Sequence, residues 1–262
     1  MKRVAVFAYG LMSYVMFLGV FVYSIGFLGN FGVPRSLDSA PQTPWLQALV
    51  VNCLLLGVFA IQHSGMARPA FKRWWKQWVP DPMERSTYVL FSNVAMIVLF
   101  ILWEPIGGVV WNVQHPGIRG AIYAMYGLGW LTIFYSTCLL NHFELFGMRQ
   151  VTLYLRGERY APLKFDEPGL YRYVRHPLYV GWLMVFWFTP TMTIAHLLFA
   201  LMCTGYILIA IQLEEHDLAQ ALPEYADYRV RVPMLVPSLK SQSLRGGQPV
   251  GLLRERNTAS QS

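Results

Sequence analysis

Charge is scarce in this chain. Asp, Glu, Lys and Arg make up 13% of the 262 residues, against 55% hydrophobic, which excludes an ordinary soluble domain, where about a quarter of residues are charged. Cysteine is scarcer still. Cys53, Cys138 and Cys203 stand singly in apolar runs with no CxxC spacing, a pattern of small buried hydrophobes rather than disulfides or metal ligands. Also missing are a GxGxxG turn after a strand, a phosphate loop ending in GKS or GKT, an HExxH helix and a GxSxG elbow. Rossmann-type nucleotide binding and zinc proteolysis are thereby set aside, and no metal site is expected. No nucleic-acid motif is present either, so the net charge of +7 needs another explanation.

What the chain has in abundance is long apolar runs. Residues 4–29 are long enough to span a bilayer with tilt; Lys2 and Arg3 precede them as in a secretory signal, but the run is too long and no small-residue cleavage site follows closely. Residues 30–44, with Gly32, Pro34, Pro41 and Pro44, read as a loop, and residues 45–62 as a second span anchored by Trp45. From residue 63 to 85 the chain turns basic and aromatic. Arg68, Lys72, Arg73 and Lys76 share one helical face, and Phe71, Trp74, Trp75 and Trp78 supply the apolar part, so an interfacial helix is expected, with His63 at its start. Residues 86–103 and 119–141 read as the third and fourth spans, joined by a short loop over 104–117. A polar connection over 145–175 leads to residues 178–213, too long for one span and interrupted at Thr189-Pro190-Thr191-Met192-Thr193, which suits two helices meeting at that break. His196, near the turn, reads as structural. The expected fold is all-α and integral to the membrane, with about five to six transmembrane helices ending in a helical hairpin. Residues 1–240 form one domain, and residues 241–262, rich in Ser, Gln, Gly and Arg, a disordered tail.

The positive residues set the expected orientation. With the N-terminus in the cytoplasm, only Arg35 and Arg119 of the 21 lysines and arginines fall on the far side. Both termini are then cytoplasmic, and attraction to anionic lipid accounts for the basic balance without a polyanionic partner.

The polar residues gather where the last helices meet that same face. Residues 169–181 read GLYRYVRHPLYVG and place Arg175 and His176 just before Pro177, a residue tolerated in the first turn of a helix. Arg175 beside exposed helix N–H groups suits a carboxylate or phosphate. Glu214-Glu215-His216-Asp217 close the apolar run at its other end, followed by Tyr225, Tyr228 and Arg229. If the run is a hairpin, both clusters return to one face and make one site. Aromatic walls with a few cations and carboxylates suit a ligand bearing an adenine ring, a ribose diol and a zwitterionic amino acid. Each piece also has a plainer reading: Arg175 on lipid phosphate, Tyr171 and Tyr173 in the aromatic belt, Glu214 with Arg229 as an ion pair.

GLYRYVRHPLYVG resembles the Gly-x-Tyr-x-x-x-Arg-His-Pro-x-Tyr-x-Gly signature of the integral-membrane methyltransferases related to isoprenylcysteine carboxyl methyltransferase, the phospholipid methyltransferases and the NnrU group. The stretch EEHDLAQALPEYADYRVRVPMLVP is similar to their Glu-Glu-x-x-Leu and Tyr-x-x-Tyr elements. Further stretches, QHSGMARPAFKRWW, ERSTYVLFSN, NHFELFGMRQV, FWFTPTMTIAHLLFA and YILIAIQLEEHDL, are similar to the bacterial methanethiol S-methyltransferase family, over residues 45–237. That resemblance implies methyl transfer from S-adenosylmethionine to methanethiol, giving dimethyl sulfide, in a bacterial inner membrane. It assigns Arg175, His176, Tyr179, Glu214, Glu215, Tyr225, Tyr228 and Arg229 to the cofactor region. Methyl transfer to a thiol needs alignment of the two sulfurs with the methyl carbon and a way to remove the thiol proton. His176, His142 and His63 are the candidate bases, in that order. The alternatives are methylation of a prenylcysteine carboxylate or a phospholipid amine, or an NnrU-like membrane protein without catalysis.

Overall fold

The computed structural model of the chain describes residues 1–237, so the expected tail over 241–262 lies outside the described residues. Among the described residues, five helices are long and apolar enough to cross a membrane: α1 (Lys2–Gly29), α2 (Trp45–Ala67), α4 (Asp81–Leu102), α5 (Pro116–Leu139) and α9 (Ile194–Ala221). Five shorter helices complete the set: α3 (Pro69–Trp75), α6 (His142–Leu145), α7 (Met148–Arg156), α8 (Pro177–Trp187) and α10 (Glu224–Arg231). Proline stands in the first turn of α3, α4, α5 and α8, where its missing N–H would have had no helical partner. α1 stops at Asn30, whose left-handed conformation (φ 59°) returns its N–H to the Gly26 carbonyl.

Two local expectations are corrected. α2 runs past residue 62 to Ala67, because nothing breaks it before Arg68, which the following proline holds extended (ψ 141°). His63 therefore belongs to a spanning helix rather than to the interfacial one, which shrinks to α3. The loop over 104–117 contains a strand, β1 (Val109–Asn112), which pairs antiparallel with β2 (Thr191–Thr193) through Val109↔Thr193, Trp111↔Met192 and Asn112↔Thr191, with an irregularity between Val109 and Trp111. The expected break between the last helices is thus an extended strand. α8 itself has 11 residues, about 16 Å of helix, roughly half the hydrocarbon core.

α8 reaches the bundle by packing on α5 through glycine. A Cβ at Gly181 would lie 2.9 Å from the Gly129 carbonyl oxygen and from the Ile133 nitrogen, and one at Gly129 would lie 3.0 Å from the Gly181 oxygen. The two backbones touch, which is how helices gain contact where lipid supplies no hydrophobic drive. Polar cross-links add to it: Asn93 Nδ2 donates to the Ser13 carbonyl (3.0 Å), Tyr9 to Thr87 (2.9 Å) and Trp187 Nε1 to Thr204 (3.0 Å). Val50, Leu54, Val58 and Ile61 of α2 are exposed along one face, as a lipid-facing stripe requires.

The sheet end of the bundle is closed by polar contacts. His196 is fully buried, with Nδ1 3.0 Å from Asp38 Oδ2 and Nε2 3.0 Å from the Phe186 carbonyl, and Thr193 also donates to Asp38. Arg35 pairs with Glu104 at 3.3 Å, and Arg119 donates to the Val113 carbonyl at 3.0 Å. The two arginines that break the charge bias thus stand at this end, each held by the protein. Phe27, Phe100, Trp103, Phe186 and Phe199 form the aromatic core beside it.

Candidate functional site

At the other end, the turn before α8 is built by Gly169, in the left-handed region (φ 53°), which opens a 3-10 turn over Gly169–Arg172. The chain then bends past the segment after α10: Arg175 N–H donates to the Pro233 carbonyl (2.9 Å) and His176 N–H to that of Met234 (3.2 Å). Pro177 starts α8 with His176 at its cap, as the motif suggested. Tyr228 closes the other side by donating to the Tyr171 carbonyl at 2.7 Å.

Glu215 is the centre of this arrangement. It is 1% exposed and receives Arg175 Nε at 2.7 Å and His176 Nε2 at 2.9 Å on Oε1, with Arg229 Nε 3.2 Å from Oε2. A buried carboxylate is tolerated only with such compensation. The two polar ends of the α8–α9 hairpin therefore meet, and α10 closes on them. Arg175 is more committed than the motif implied, since its Nη1 also donates to the Arg229 (2.8 Å) and Val232 (2.6 Å) carbonyls. Arg229, half exposed, spends only Nε on Glu215 in this geometry.

Glu214, one residue away, belongs to a second polar cluster. Tyr179 donates to its Oε2 at 3.1 Å. Tyr88 and Tyr206 lie close enough to feel its charge, and Tyr206 exchanges a hydrogen bond with Ser64 at 3.1 Å. Arg68 at the end of α2 pairs with Asp217 at 2.9 Å and pins that end to α9. Tyr225 is 2% exposed, and its hydroxyl is buried without a hydrogen-bond partner, although it lies near enough to Glu215, Arg175 and Glu214 to be influenced by them. Burial pushes the Tyr225 phenol up and that of Tyr228 up to about 12, so both are donors at neutral pH. An orphaned buried donor beside paired charges calls for a partner, whether water, an ion or a ligand.

The three candidate histidines separate. His176 is 6% exposed, and its Nε2 is occupied by Glu215. His142 lies apart, among Phe17, Phe134, Phe143 and Phe146, with Nε2 2.9 Å from the Tyr14 hydroxyl and Nδ1 2.9 Å from that of Thr137; burial holds its pKa below the ordinary 6.5. His63 packs between α2 and α4: Tyr88 Oη is 2.9 Å from Nε2 and 3.1 Å from Nδ1, and Ser92 Oγ is 3.0 Å from Nδ1. Tyr88, Ser92, Tyr206 and Ser64 were not anticipated from sequence. Their only signal is polar side chains four apart, Tyr88 and Ser92, inside an apolar helix. Two apolar grooves, of ≈ 430 Å³ along α1 and α4 (Met16, Tyr23, Phe100) and ≈ 530 Å³ at the sheet end (Pro41, Trp45, Ile194), touch none of these groups. Among the described residues no three His, Cys, Asp or Glu side chains converge as metal ligands would.

Comparison with known proteins gives close relatives over nearly the whole chain. It is 51% identical over 244 residues to the methanethiol S-methyltransferase of Crocosphaera subtropica, covering 93% of this chain and 96% of that one. It is 52% identical over 238 residues to the protein of the same name from Mycobacterium tuberculosis, covering 90% and 98%. A more distant relative, nurim of Rattus norvegicus, is 31% identical over 206 residues, covering 71% and 78%. No family model matches the chain, and no solved structure matches it.

Proposed function

The chain belongs to the methanethiol S-methyltransferase family, and from that premise we propose that it moves the methyl group of S-adenosylmethionine to methanethiol, giving dimethyl sulfide, at a cytoplasm-facing site in a bacterial inner membrane. The observation that carries the reading is the Glu215 network, because it joins α8, α9 and α10 around an unpartnered phenol. The residues present fit the donor. Glu214 has a carboxylate oxygen beyond the one Tyr179 occupies and suits an ammonium group. Arg229 and the orphaned Tyr225 hydroxyl suit a carboxylate. The bound donor supplies a methyl already activated on a sulfonium sulfur. What remains for the protein is to orient the acceptor, to exclude water behind Tyr88, Tyr179 and Tyr206, and to receive the thiol proton. No Lewis acid is required for that transfer. Arg175 and His176 act here as the clamp that holds Glu215 and the 229–234 segment in place.

Acceptor choice tests the assignment. Purified protein supplied with S-adenosylmethionine should release S-adenosylhomocysteine with methanethiol and should not do so with a prenylcysteine or with phosphatidylethanolamine. Release with a lipid acceptor alone would replace the small-thiol reading by one of the other methyl transfers.

A further inference from the structure

α1 and α4 cross the bundle side by side without closing on one another along their whole length. Near the middle Asn93 ties α4 to the Ser13 carbonyl at 3.0 Å, and toward the sheet end Phe27 packs on Phe100 with ring centroids 4.8 Å apart. Between those ties Gly19 offers no side chain, and a Cβ there would meet nothing within 4 Å. The gap is the apolar groove of ≈ 430 Å³, walled by Met16, Val20, Tyr23, Ile97 and Ile101, with buried Phe100 behind them. From Met16 to Tyr23 the helix rises about 10 Å, which fits within the roughly 15 Å of hydrocarbon in one leaflet. Charge stands at the mouth of this groove. Tyr23 donates to the Arg35 carbonyl (3.1 Å) and Arg35 Nη1 donates to the Ile101 carbonyl (3.1 Å), so two wall residues hold the guanidinium there. Arg35 Nη2 lies 3.3 Å from Glu104 Oε2, which Thr43 also reaches at 3.3 Å. Among the described residues Arg35 Nε has no acceptor and Glu104 Oε1 no donor, and both side chains are part-exposed.

We propose that this groove binds one phospholipid with an ethanolamine headgroup, its acyl chain lying between Gly19 and Ile97, its phosphate on Arg35 and its ammonium on Glu104 Oε1. The pair at the mouth selects the headgroup. A guanidinium beside a carboxylate is the complement of a phosphate beside an ammonium, and Arg35 Nε and Glu104 Oε1 are the atoms left to meet them. A glycerol headgroup brings no cation to Glu104, and the quaternary nitrogen of choline has no N–H to donate. The chain is selected by the walls. Leu18, Val22 and Val98 beside the groove are exposed, as lipid-facing residues are, and an acyl chain lying there supplies the van der Waals contacts that Gly19 leaves unmade. The groove touches none of the groups around Glu214 and Glu215, so this lipid is a structural ligand rather than a methyl acceptor, and the inference stands whichever acceptor the protein uses.

The test is lipid retention. Protein reconstituted into nanodiscs of phosphatidylethanolamine, phosphatidylcholine and phosphatidylglycerol in equal parts, then returned to detergent, should keep phosphatidylethanolamine in preference to the other two, counted per protein by mass spectrometry. Gly19→Leu places a side chain in the groove at a position where a Cβ meets nothing; it should lose the retained lipid while its melting temperature in detergent holds. Gly57→Leu in α2, where an added Cβ also meets nothing within 4 Å, should keep the lipid. Arg35→Gln should lower retention of phosphatidylethanolamine roughly fivefold, and Glu104→Gln should lower its preference over phosphatidylglycerol by a similar factor, as part-exposed ion pairs allow. Adding phosphatidylethanolamine back to delipidated protein should raise the melting temperature of the wild type and not that of Gly19→Leu. Equal retention in Gly19→Leu and the wild type, or an equally deep loss in Gly57→Leu, would overturn the site. A wild-type dimer that Gly19→Leu turns into a monomer, with no lipid lost, would give the groove to a second copy of the chain and overturn the lipid. If Gly19→Leu misfolds, the headgroup variants decide, and an unchanged headgroup preference in both would overturn the proposal.

Discussion

Removing the hydroxyl of Tyr225 should leave the protein's stability unchanged and deprive its ligand of a hydrogen bond. Because that oxygen is buried with no partner, Tyr225→Phe loses no internal bond and sheds an unsatisfied polar group. Its melting temperature in detergent should hold or rise, while S-adenosylhomocysteine affinity falls roughly fivefold, about 1 kcal/mol. The opposite pattern, lost stability with intact binding, would mean that the hydroxyl serves the fold. Glu215→Ala should behave otherwise. It strands Arg175, His176 and Arg229 around an empty space, and breaking a buried pair from one side costs about 3 kcal/mol or more, so stability and ligand binding should fall together. Glu215→Gln, which keeps the shape, separates the two effects. His142 sets a pH dependence of its own. Burial lowers its folded pKa below 6.5, so the unfolded chain takes up the proton first as pH falls. That contribution to stability is complete above about 6.5 and is lost below it as pH approaches the folded pKa. Thermal midpoints measured from pH 7.5 down to 5 should decline, and His142→Gln should flatten the decline.

At the scale of elements, the decisive contact is α8 on α5. Gly181→Ala drives a methyl into the Gly129 oxygen and the Ile133 nitrogen, backbone atoms that cannot swing away. Overpacking of this kind costs about 2 kcal/mol, and because α8 carries His176 at its cap, ligand affinity should weaken with it. Gly205→Ala in α9, whose added methyl meets nothing within 4 Å, should be neutral or stabilising by up to about 1 kcal/mol; equal effects from the two substitutions would deny the close approach. The five spans and the hairpin were legible because apolar length and proline placement are local signals. β1 was not. Val109–Asn112 is short and bounded by glycine and proline, and it becomes a strand only by pairing with Thr191–Thr193, a partner about eighty residues away in sequence. The reach of α2 past Gln62 was hidden for a different reason: His63 and Ser64 are polar, and their acceptance inside a span depends on Tyr88, Ser92 and Tyr206 of other helices.

For the whole molecule, the charge bias and the site make one statement about direction. Arg35 and Arg119 are held at the sheet end, and the Glu215 network lies at the other, so a reporter behind Ser262 should work only in the cytoplasm and one placed within residues 30–44 only outside it. Reversed signals would turn the site away from the compartment that makes S-adenosylmethionine. From sequence, the motif before α8 and the acidic pair in α9 were visible as two halves, and their union at Glu215 needed only the hairpin. Which groups are spent and which are free was not visible, since it depends on distances: Arg175 turns out to be occupied by backbone carbonyls, and Tyr225 to be unpaired. The central claim is tested most directly by headspace analysis of the purified protein given methanethiol and S-adenosylmethionine. Dimethyl sulfide should form only when both are present, in equal amount to S-adenosylhomocysteine, and should persist with a chelator in the buffer. A sealed vial in which S-adenosylmethionine and methanethiol both remain unconsumed, with protein that still binds S-adenosylhomocysteine, would contradict it.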